Sequence, residues 1–209
     1  MFLENLAENQ SVVTLLLAHG AGAPMDSAFL QAIAERLARR QVNVLRFEFP
    51  YMAGRRQGGA RRPPDATDVL LDCYRQAWQQ ARMACPGALA IGGKSMGGRM
   101  ASLLADELEA AALVCLGYPF HPVGRLDKPR VAHLSGLCTP TLIVQGERDP
   151  LGSRQTVEDY PLSSAVHLHW LAAADHDLCP LKRSGMTHAQ HLDSAADAVA
   201  AFLGRVVAG

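Results

Sequence analysis

The chain has 209 residues, of which 49% are hydrophobic and 19% charged, and its 20 basic and 20 acidic side chains give a formal net charge of zero. This length and composition predict one globular domain over residues 1–209 with a sizeable core, and they exclude a disordered protein. The balanced charge gives no basis for binding nucleic acid or a membrane surface.

Two features of the sequence concern the compartment in which the protein works. Residues 1–20 contain no lysine or arginine, and their apolar run VVTLLLA is too short for a signal peptide core or a membrane span. The five cysteines, at positions 73, 85, 115, 138 and 179, are scattered and odd in number, which favours free thiols over disulfides. We therefore expect a cytoplasmic protein.

Short apolar runs alternate with longer amphipathic segments along the chain. The runs cover residues 11–18, 42–49, 88–93, 111–117, 141–146 and 165–172. Several are apolar on both faces, as strands are when helices cover both sides of a parallel sheet. The pattern predicts an α/β fold, in which a doubly wound, mainly parallel six-stranded sheet carries helices on both faces.

Some of the segments between the runs carry signals of helices, and two others are predicted to be loops. Asp26 is the predicted N-cap of the first helix and Asp65 or Thr67 of the second, while THAQ near the C-terminus resembles a capping box. Residues 51–65 and 117–130 are rich in glycine, proline or arginine and are predicted to be loops. Each follows a strand, at the end of the sheet where open α/β folds bind ligands.

The stretch IGGKSMGGRM, residues 91–100, places four glycines around Ser95 and contains the pattern G-x-S-x-G. A strand precedes the serine and a helical pattern follows it, which is the context that a nucleophile elbow requires. Flanking glycines let neighbouring backbone pass close to such a turn. Ser95 is therefore the candidate nucleophile, and the alternative is a glycine-rich packing turn with an incidental serine.

A serine nucleophile needs a base within hydrogen-bond reach and a third group that orients the base. In folds with this elbow, the acid and then the histidine follow the serine, each after a strand. Asp149 and His176 follow the fifth and sixth apolar runs and are the candidate acid and base. Glu147, Asp175 and Asp177 compete as the acid, but the chain neighbours of His176 cannot easily face its Nδ1.

The negative charge that develops on a substrate carbonyl oxygen also needs hydrogen-bond donors. One is expected to be the N–H of Met96, which follows the nucleophile at the start of a helix. The second is expected from the loop at 18–26, with Ala21 as the first choice and Gly22 as the second. The alternative is a glycine-rich turn that serves only packing.

The stretches LLLAHGAG, LRFEFPYMAGRR, GGKSMGGRM, VQGERDPLG and ADHDL together resemble the α/β-hydrolase superfamily. More narrowly, the chain is similar to small predicted hydrolases related to dienelactone hydrolases and to testis-expressed and chromatin-complex proteins of this fold. The resemblance implies Ser95 as nucleophile, Asp149 as acid and His176 as base. It also implies six parallel strands in the order 2-1-3-4-5-6, because too few residues precede the first strand for the two antiparallel strands with which larger hydrolases begin. The core is expected to be capless, because the region after the fourth strand, where many relatives insert a helical cap, is only a short loop. Dienelactone hydrolases use a cysteine nucleophile, so their substrate does not carry over.

Four further residues are candidates for substrate binding. Arg55 and Arg56 lie in an arginine-rich loop whose guanidinium groups could bind a carboxylate or phosphate, although a mobile, solvated loop is the favoured interpretation. Tyr51 and Phe120 are candidates for lining the site or for the core.

No cofactor or metal is expected. The pairs His167 with His169 and His188 with His191 have no cysteine or acid that completes a metal site. The Gly-Lys-Ser segment lacks the upstream glycine of a phosphate-binding loop, because Ala88 holds that place.

These features predict a serine hydrolase that cleaves a small ester or thioester through an acyl-enzyme. The expected partner is a small-molecule acyl substrate, and the protein is expected to be a monomer or homodimer. The alternatives are an acyltransferase with the same triad and a non-catalytic interaction module on the same fold.

Overall fold

The computed structural model describes residues 2–9, 11 and 13–209, and one seven-stranded sheet runs through them. The strands are β1 (Leu3–Asn5), β2 (Val13–Ala18), β3 (Asn43–Phe47), β4 (Ala88–Lys94), β5 (Leu113–Leu116), β6 (Thr141–Gly146) and β7 (Val166–Leu171). Their order across the sheet is β1-β3-β2-β4-β5-β6-β7. Strands β2 to β7 pair in parallel, so the predicted fold class and the predicted order of those six strands are confirmed.

Strand β1 is a seventh strand that the sequence did not predict. It pairs antiparallel with β3 at the edge of the sheet, with Leu3 opposite Arg46 and Asn5 opposite Val44. The prediction of six strands is therefore one strand short, because β1 adds a single antiparallel strand. Three residues are enough to pair with an edge, but they are too few to show the alternation by which a strand is recognised.

Helices cover both faces of the sheet. They are α1 (Ala28–Ala38), α2 (Pro50–Arg56), α3 (Thr67–Ala84), α4 (Met96–Leu104), α5 (Arg154–Val157) and α6 (His188–Ala208). Helices α1 and α6 bury apolar residues in one core with β2, and α3 and α4 do so in a second core on the opposite face. Adjacent residues of β2 point alternately into these two cores: Leu15 and Leu17 into the first, and Leu16 and Ala18 into the second.

Part of the segment predicted as a loop at 51–65 is helical. Helix α2 begins at Pro50, whose fixed φ suits the first turn of a helix, and it buries Tyr51 and Met52. Seven residues show too little periodicity for the helix to be predicted, and the prediction of a loop from residue 51 is wrong for this part. The second predicted loop, residues 117–130, contains no helix or strand.

Two of the predicted N-caps are wrong and one is confirmed. Ser27 occupies the N-cap position of α1 and Ala66 that of α3, each without a side-chain capping bond. Asp65 instead accepts a hydrogen bond from the Tyr51 N–H at 2.9 Å. Thr187 and Gln190 form the predicted capping box at the start of α6.

The described part of the chain contains no helix that is both long enough and apolar enough to cross a membrane. The five cysteines are all free thiols, with Cys115 buried and Cys138 exposed.

Candidate active site

Ser95 lies on the tight turn that joins β4 to α4. Its φ of 51° and ψ of −115° are strained for a residue with a Cβ, and such strain concentrates at functional sites. Gly97 lies against the loop that follows strand β2 (the β2 loop, residues 19–27), where an added Cβ would stand 2.5 Å from the carbonyl oxygen of His19. An added Cβ on Gly93 would meet the backbone of Gly97 and Gly98. Close approach of three backbone segments therefore accounts for the glycines around Ser95.

The three residues of the predicted triad meet above the carboxyl end of the sheet. Ser95 Oγ lies 2.9 Å from His176 Nε2, and His176 Nδ1 lies 2.7 Å from Asp149 Oδ2. The loops after β4, β6 and β7 supply the serine, the acid and the histidine. This arrangement lets an imidazole take a proton from the hydroxyl while a carboxylate fixes its tautomer.

Asp149 is fully buried, and other groups satisfy its carboxylate. Its Oδ2 also accepts from Gln145 Nε2 at 2.8 Å, and its Oδ1 accepts from the Leu151 N–H at 2.8 Å. Hydrogen bonds of this kind offset the cost of burying a charge. Gln145 was not a sequence-based candidate, because a glutamine inside a strand carries no catalytic signal.

The competing acids lie elsewhere. Glu147 accepts from the Ala173 N–H and pairs with Arg154. Asp175 accepts from backbone N–H groups of its own turn, including that of Cys179. The structure places neither carboxylate in hydrogen-bond contact with the His176 ring.

Two backbone N–H groups without an acceptor in the described structure lie beside Ser95. Met96 is the first residue of α4, so its N–H has no acceptor within the helix. The carbonyl of Gly20 accepts from His19 Nδ1 at 2.7 Å and from the Tyr51 hydroxyl at 3.2 Å. Because a trans peptide directs its N–H opposite its C=O, these bonds turn the Ala21 N–H away from Tyr51.

His19 holds this loop as a neutral imidazole. Its Nε2 accepts from the Phe49 N–H at 3.0 Å, which leaves the proton on Nδ1 for the Gly20 carbonyl. Burial lowers the pKa of His19 below the usual imidazole value. Neither His19 nor the supporting role of Tyr51 was predicted, because both act through hydrogen bonds that only the folded chain reveals.

We expect Tyr51→Phe to lower kcat about tenfold, a smaller loss than the 100-fold or more that follows removal of an oxyanion donor itself. The hydroxyl donates to the carbonyls of Gly20 and Ala21, and burial raises its pKa to about 12, so it stays protonated. Steady-state kinetics should show the change in kcat with little change in KM. Tyr160→Phe is the control, because the Tyr160 hydroxyl has no hydrogen bond within the described structure. Equal kinetics for the two variants would contradict the role of Tyr51.

Lys94, which precedes Ser95, contacts the loop after β7 that carries His176. Its Nζ donates to the carbonyl of His176 at 2.9 Å, lies 3.2 Å from Asp177 Oδ1 and stands over the ring of Phe29. Desolvation lowers the pKa of Lys94, and the Asp177 carboxylate opposes that shift. Lys94 occupies a variable position of G-x-S-x-G, so the motif gives no signal for this role.

Lys94→Met should lower kcat by about 10- to 100-fold, because His176 loses a contact that fixes its position. Asp177→Asn should cost much less, since the bond from Lys94 to the His176 carbonyl remains. The comparison needs kcat and KM for both variants, with thermal unfolding to check the fold. A loss in Asp177→Asn as large as that in Lys94→Met would show that charge pairing, and not the carbonyl contact, matters.

The four predicted substrate-binding residues fall into different places. Tyr51 lies beneath the β2 loop, and Arg55 is exposed beside a cavity of about 390 Å³ that Tyr51 also lines. Arg56 pairs with Asp26 and Glu48, so its guanidinium is not free for an anion, which corrects that prediction. Phe120 is also a correction, because it is fully buried in the core.

Hollows lie on both sides of Ser95. One, of about 380 Å³, is lined by Ser95, Met96, Arg99, Arg130 and Leu151 among others. The other, also of about 380 Å³, is lined by Ala21, Phe29, Lys94, Ser95 and His176 among others. An acyl group and a leaving group on the two sides of a carbonyl carbon would each have space.

Three of the four histidines in the two sequence pairs hydrogen-bond to other groups. His188 and His191 contact the carbonyls of Asp177 and Leu178, and His169 contacts Ser194. Within residues 2–9, 11 and 13–209, no three His, Cys, Asp or Glu side chains are grouped so that they could hold a metal.

Known proteins share this architecture. The profile of a family described as the alpha/beta hydrolase domain matches residues 11–204, so the chain belongs to the α/β-hydrolase family. No curated protein sequence matches significantly.

Several solved structures are similar to the chain. XC6422 from Xanthomonas campestris, an α/β serine hydrolase without a lid, has 20% identity and a TM-score of 0.72 over 99% of this chain and 88% of that chain. A dienelactone hydrolase from Anabaena variabilis has 20% identity and a TM-score of 0.70, and the match covers 97% of this chain and 89% of that one. Est1E from Butyrivibrio proteoclasticus, solved with ferulic acid, has 15% identity and a TM-score of 0.72, and the match covers 100% of this chain and 96% of that one. Similarity at these identities shows the fold. The first of these structures, XC6422, is described as lacking a lid.

Proposed function

We propose that the protein is a serine hydrolase that cleaves a small ester or thioester through an acyl-enzyme. The observation that carries the proposal is the hydrogen-bonded series from Ser95 through His176 to Asp149, at 2.9 and 2.7 Å, on a strained elbow. Family membership supports hydrolysis as the reaction class, but the substrate and the triad rest on the geometry.

Ser95 Oγ attacks the carbonyl carbon while His176 Nε2 takes its proton. Asp149 keeps the His176 proton on Nδ1 and stabilises the imidazolium that forms. The N–H groups of Met96 and Ala21 donate to the oxyanion of the tetrahedral intermediate. His176 then protonates the leaving group, and water, deprotonated by His176, cleaves the acyl-enzyme to release the acid and free Ser95.

A panel of short-chain esters and thioesters tests this function, with acid release followed in a pH-stat. Wild type should turn over at least one series, and His176→Ala should lose that turnover. Addition of an alcohol acceptor separates hydrolysis from acyl transfer, because a hydrolase continues to release acid while a transferase forms a new ester. Absence of turnover across both series by the folded protein would contradict the proposal and favour an interaction module.

A further inference from the structure

Two arginines face the hollow beside Ser95. Arg99 lies on α4, one turn after the nucleophile, and Arg130 ends the irregular segment that follows β5. Both are half-buried, and both line the cavity of about 380 Å³ that also contains Ser95 and Met96. Two cations therefore stand within the same small cavity as the reactive hydroxyl.

Neither arginine has a counter-ion among the residues that the structure describes. Seven arginines of the described chain pair with carboxylates, and neither Arg99 nor Arg130 is among them. The Nε of Arg99 is buried and has no hydrogen-bond partner among these residues. The one carboxylate that lines the cavity, Asp65, is engaged with Arg62 at 3.5 Å and with the Tyr51 N–H at 2.9 Å.

This arrangement costs free energy in the absence of a ligand. Desolvation lowers the pKa of Arg130, and the nearby charge of Arg99 lowers it further. Partly buried cations without partners are unfavourable, and an anion that enters the cavity relieves both the repulsion and the lost hydrogen bonds. Guanidinium groups bind carboxylate and phosphate oxygens with matched fork geometry.

The rest of the cavity wall indicates the chemistry of the spacer that joins the anion to the ester in the substrate. Apart from Thr67, its other side chains are apolar: Ala21, Pro64, Leu70, Met96, Met100, Pro119 and Leu151. An aliphatic spacer packs against such a wall without leaving polar groups unpaired. The wall therefore suits a short acyl chain that carries its charge at the far end.

We propose that Arg99 and Arg130 form a subsite for an oxyanion, carboxylate or phosphate, at the end of the substrate's acyl chain. This inference rests on the proposed function, because it assigns the substrate class of the same site. It differs from the sequence-based expectation, which placed the anion on Arg55 and Arg56. Arg56 is already paired, and Arg55 lies in the exposed part of a different cavity.

Three ethyl esters of matched length test the subsite: monoethyl glutarate, ethyl 4-phosphonobutanoate and the neutral ethyl 5-methylhexanoate, in which an isopropyl group replaces the anion. We expect wild type to favour at least one anionic ester in kcat/KM over the neutral one. The ratio should fall by about 10- to 100-fold in Arg130→Gln and in Arg99→Gln. The two anionic esters distinguish carboxylate from phosphate.

Arg82→Gln is the control for loss of charge, because Arg82 is exposed on the last turn of α3. The anionic-to-neutral ratio should be unchanged in this variant. A wild-type ratio near unity, or a ratio that falls in Arg55→Gln but not in Arg130→Gln, would overturn the proposal.

A binding measurement separates failure of the subsite from failure of hydrolysis. Glutarate or 4-phosphonobutanoate should raise the melting temperature of wild type relative to sodium chloride of equal ionic strength, and should not do so for Arg130→Gln. This readout needs no turnover. Equal shifts in wild type and Arg130→Gln, or no shift with either anion, would overturn the subsite even if neutral esters are hydrolysed.

Discussion

Ser95→Ala lowers kcat by about 10⁴- to 10⁶-fold in our account, the range seen when a triad nucleophile is removed. No other hydroxyl in the described structure combines a 2.9 Å contact with the His176 imidazole and a position on the strained elbow. The measurement is the initial rate on the best ester of the panel, with thermal unfolding to show that the variant is folded. Alanine has the same Cβ, so the turn itself is kept.

Ser27→Ala is the matched control for this variant. Ser27 lines the second hollow beside Ser95, but its side chain makes no capping bond to α1. Turnover should remain at the wild-type level. A Ser95→Ala enzyme that keeps near-native turnover would rule out Ser95 as the nucleophile.

Asp149→Asn should lower kcat by about 10⁴-fold at neutral pH, by analogy with the same change in other triads. The Oδ2 of Asp149 accepts from both His176 and Gln145, while Oδ1 accepts from the Leu151 N–H. An asparagine has one acceptor oxygen and one donor group. If its oxygen faces His176, its NH₂ meets the Leu151 N–H, and if it is flipped, its NH₂ meets the two donors at the other position.

Asp175→Asn is the control for this prediction. Asp175 also adjoins His176 in the chain, yet its carboxylate accepts only from its own turn. Its loss should leave kcat largely intact, although it should lower the melting temperature. An Asp175→Asn defect as severe as that of Asp149→Asn would mean that the assignment of the acid is wrong.

The parts of the fold that the sequence predicted depend on long or ordered patterns. Six apolar runs separated by amphipathic segments lead to parallel strands, and the handedness of βαβ connections restricts how they are arranged. The site follows from the same order, because Ser95, Asp149 and His176 each come directly after a strand whose carboxyl end lies at the same edge.

What the sequence did not predict depends on short segments or on contacts between distant residues. Strand β1 has three residues and α2 has seven, so neither shows a clear period. The partners of Arg56, at positions 26 and 48, come together only when the chain folds. The burial of Phe120 depends likewise on Tyr118 and Tyr160, which pack against it.

The unpaired state of Arg99 and Arg130 was the least accessible to sequence reasoning. An arginine is unpaired when no carboxylate lies near it in the folded chain. A sequence with equal numbers of acidic and basic residues does not indicate which arginines will lack an ion pair. The role of Lys94 is similar, because its contact with the carbonyl of His176 joins residues 82 positions apart.

The central claim is that Ser95 is a nucleophile activated by His176. Labelling with a fluorophosphonate probe tests it most directly, since the probe reacts with activated serines and needs no knowledge of the substrate. We expect rapid labelling of wild type, with loss of labelling in both Ser95→Ala and His176→Ala. Folded wild type that does not react, or labelling that persists in Ser95→Ala, would contradict the claim.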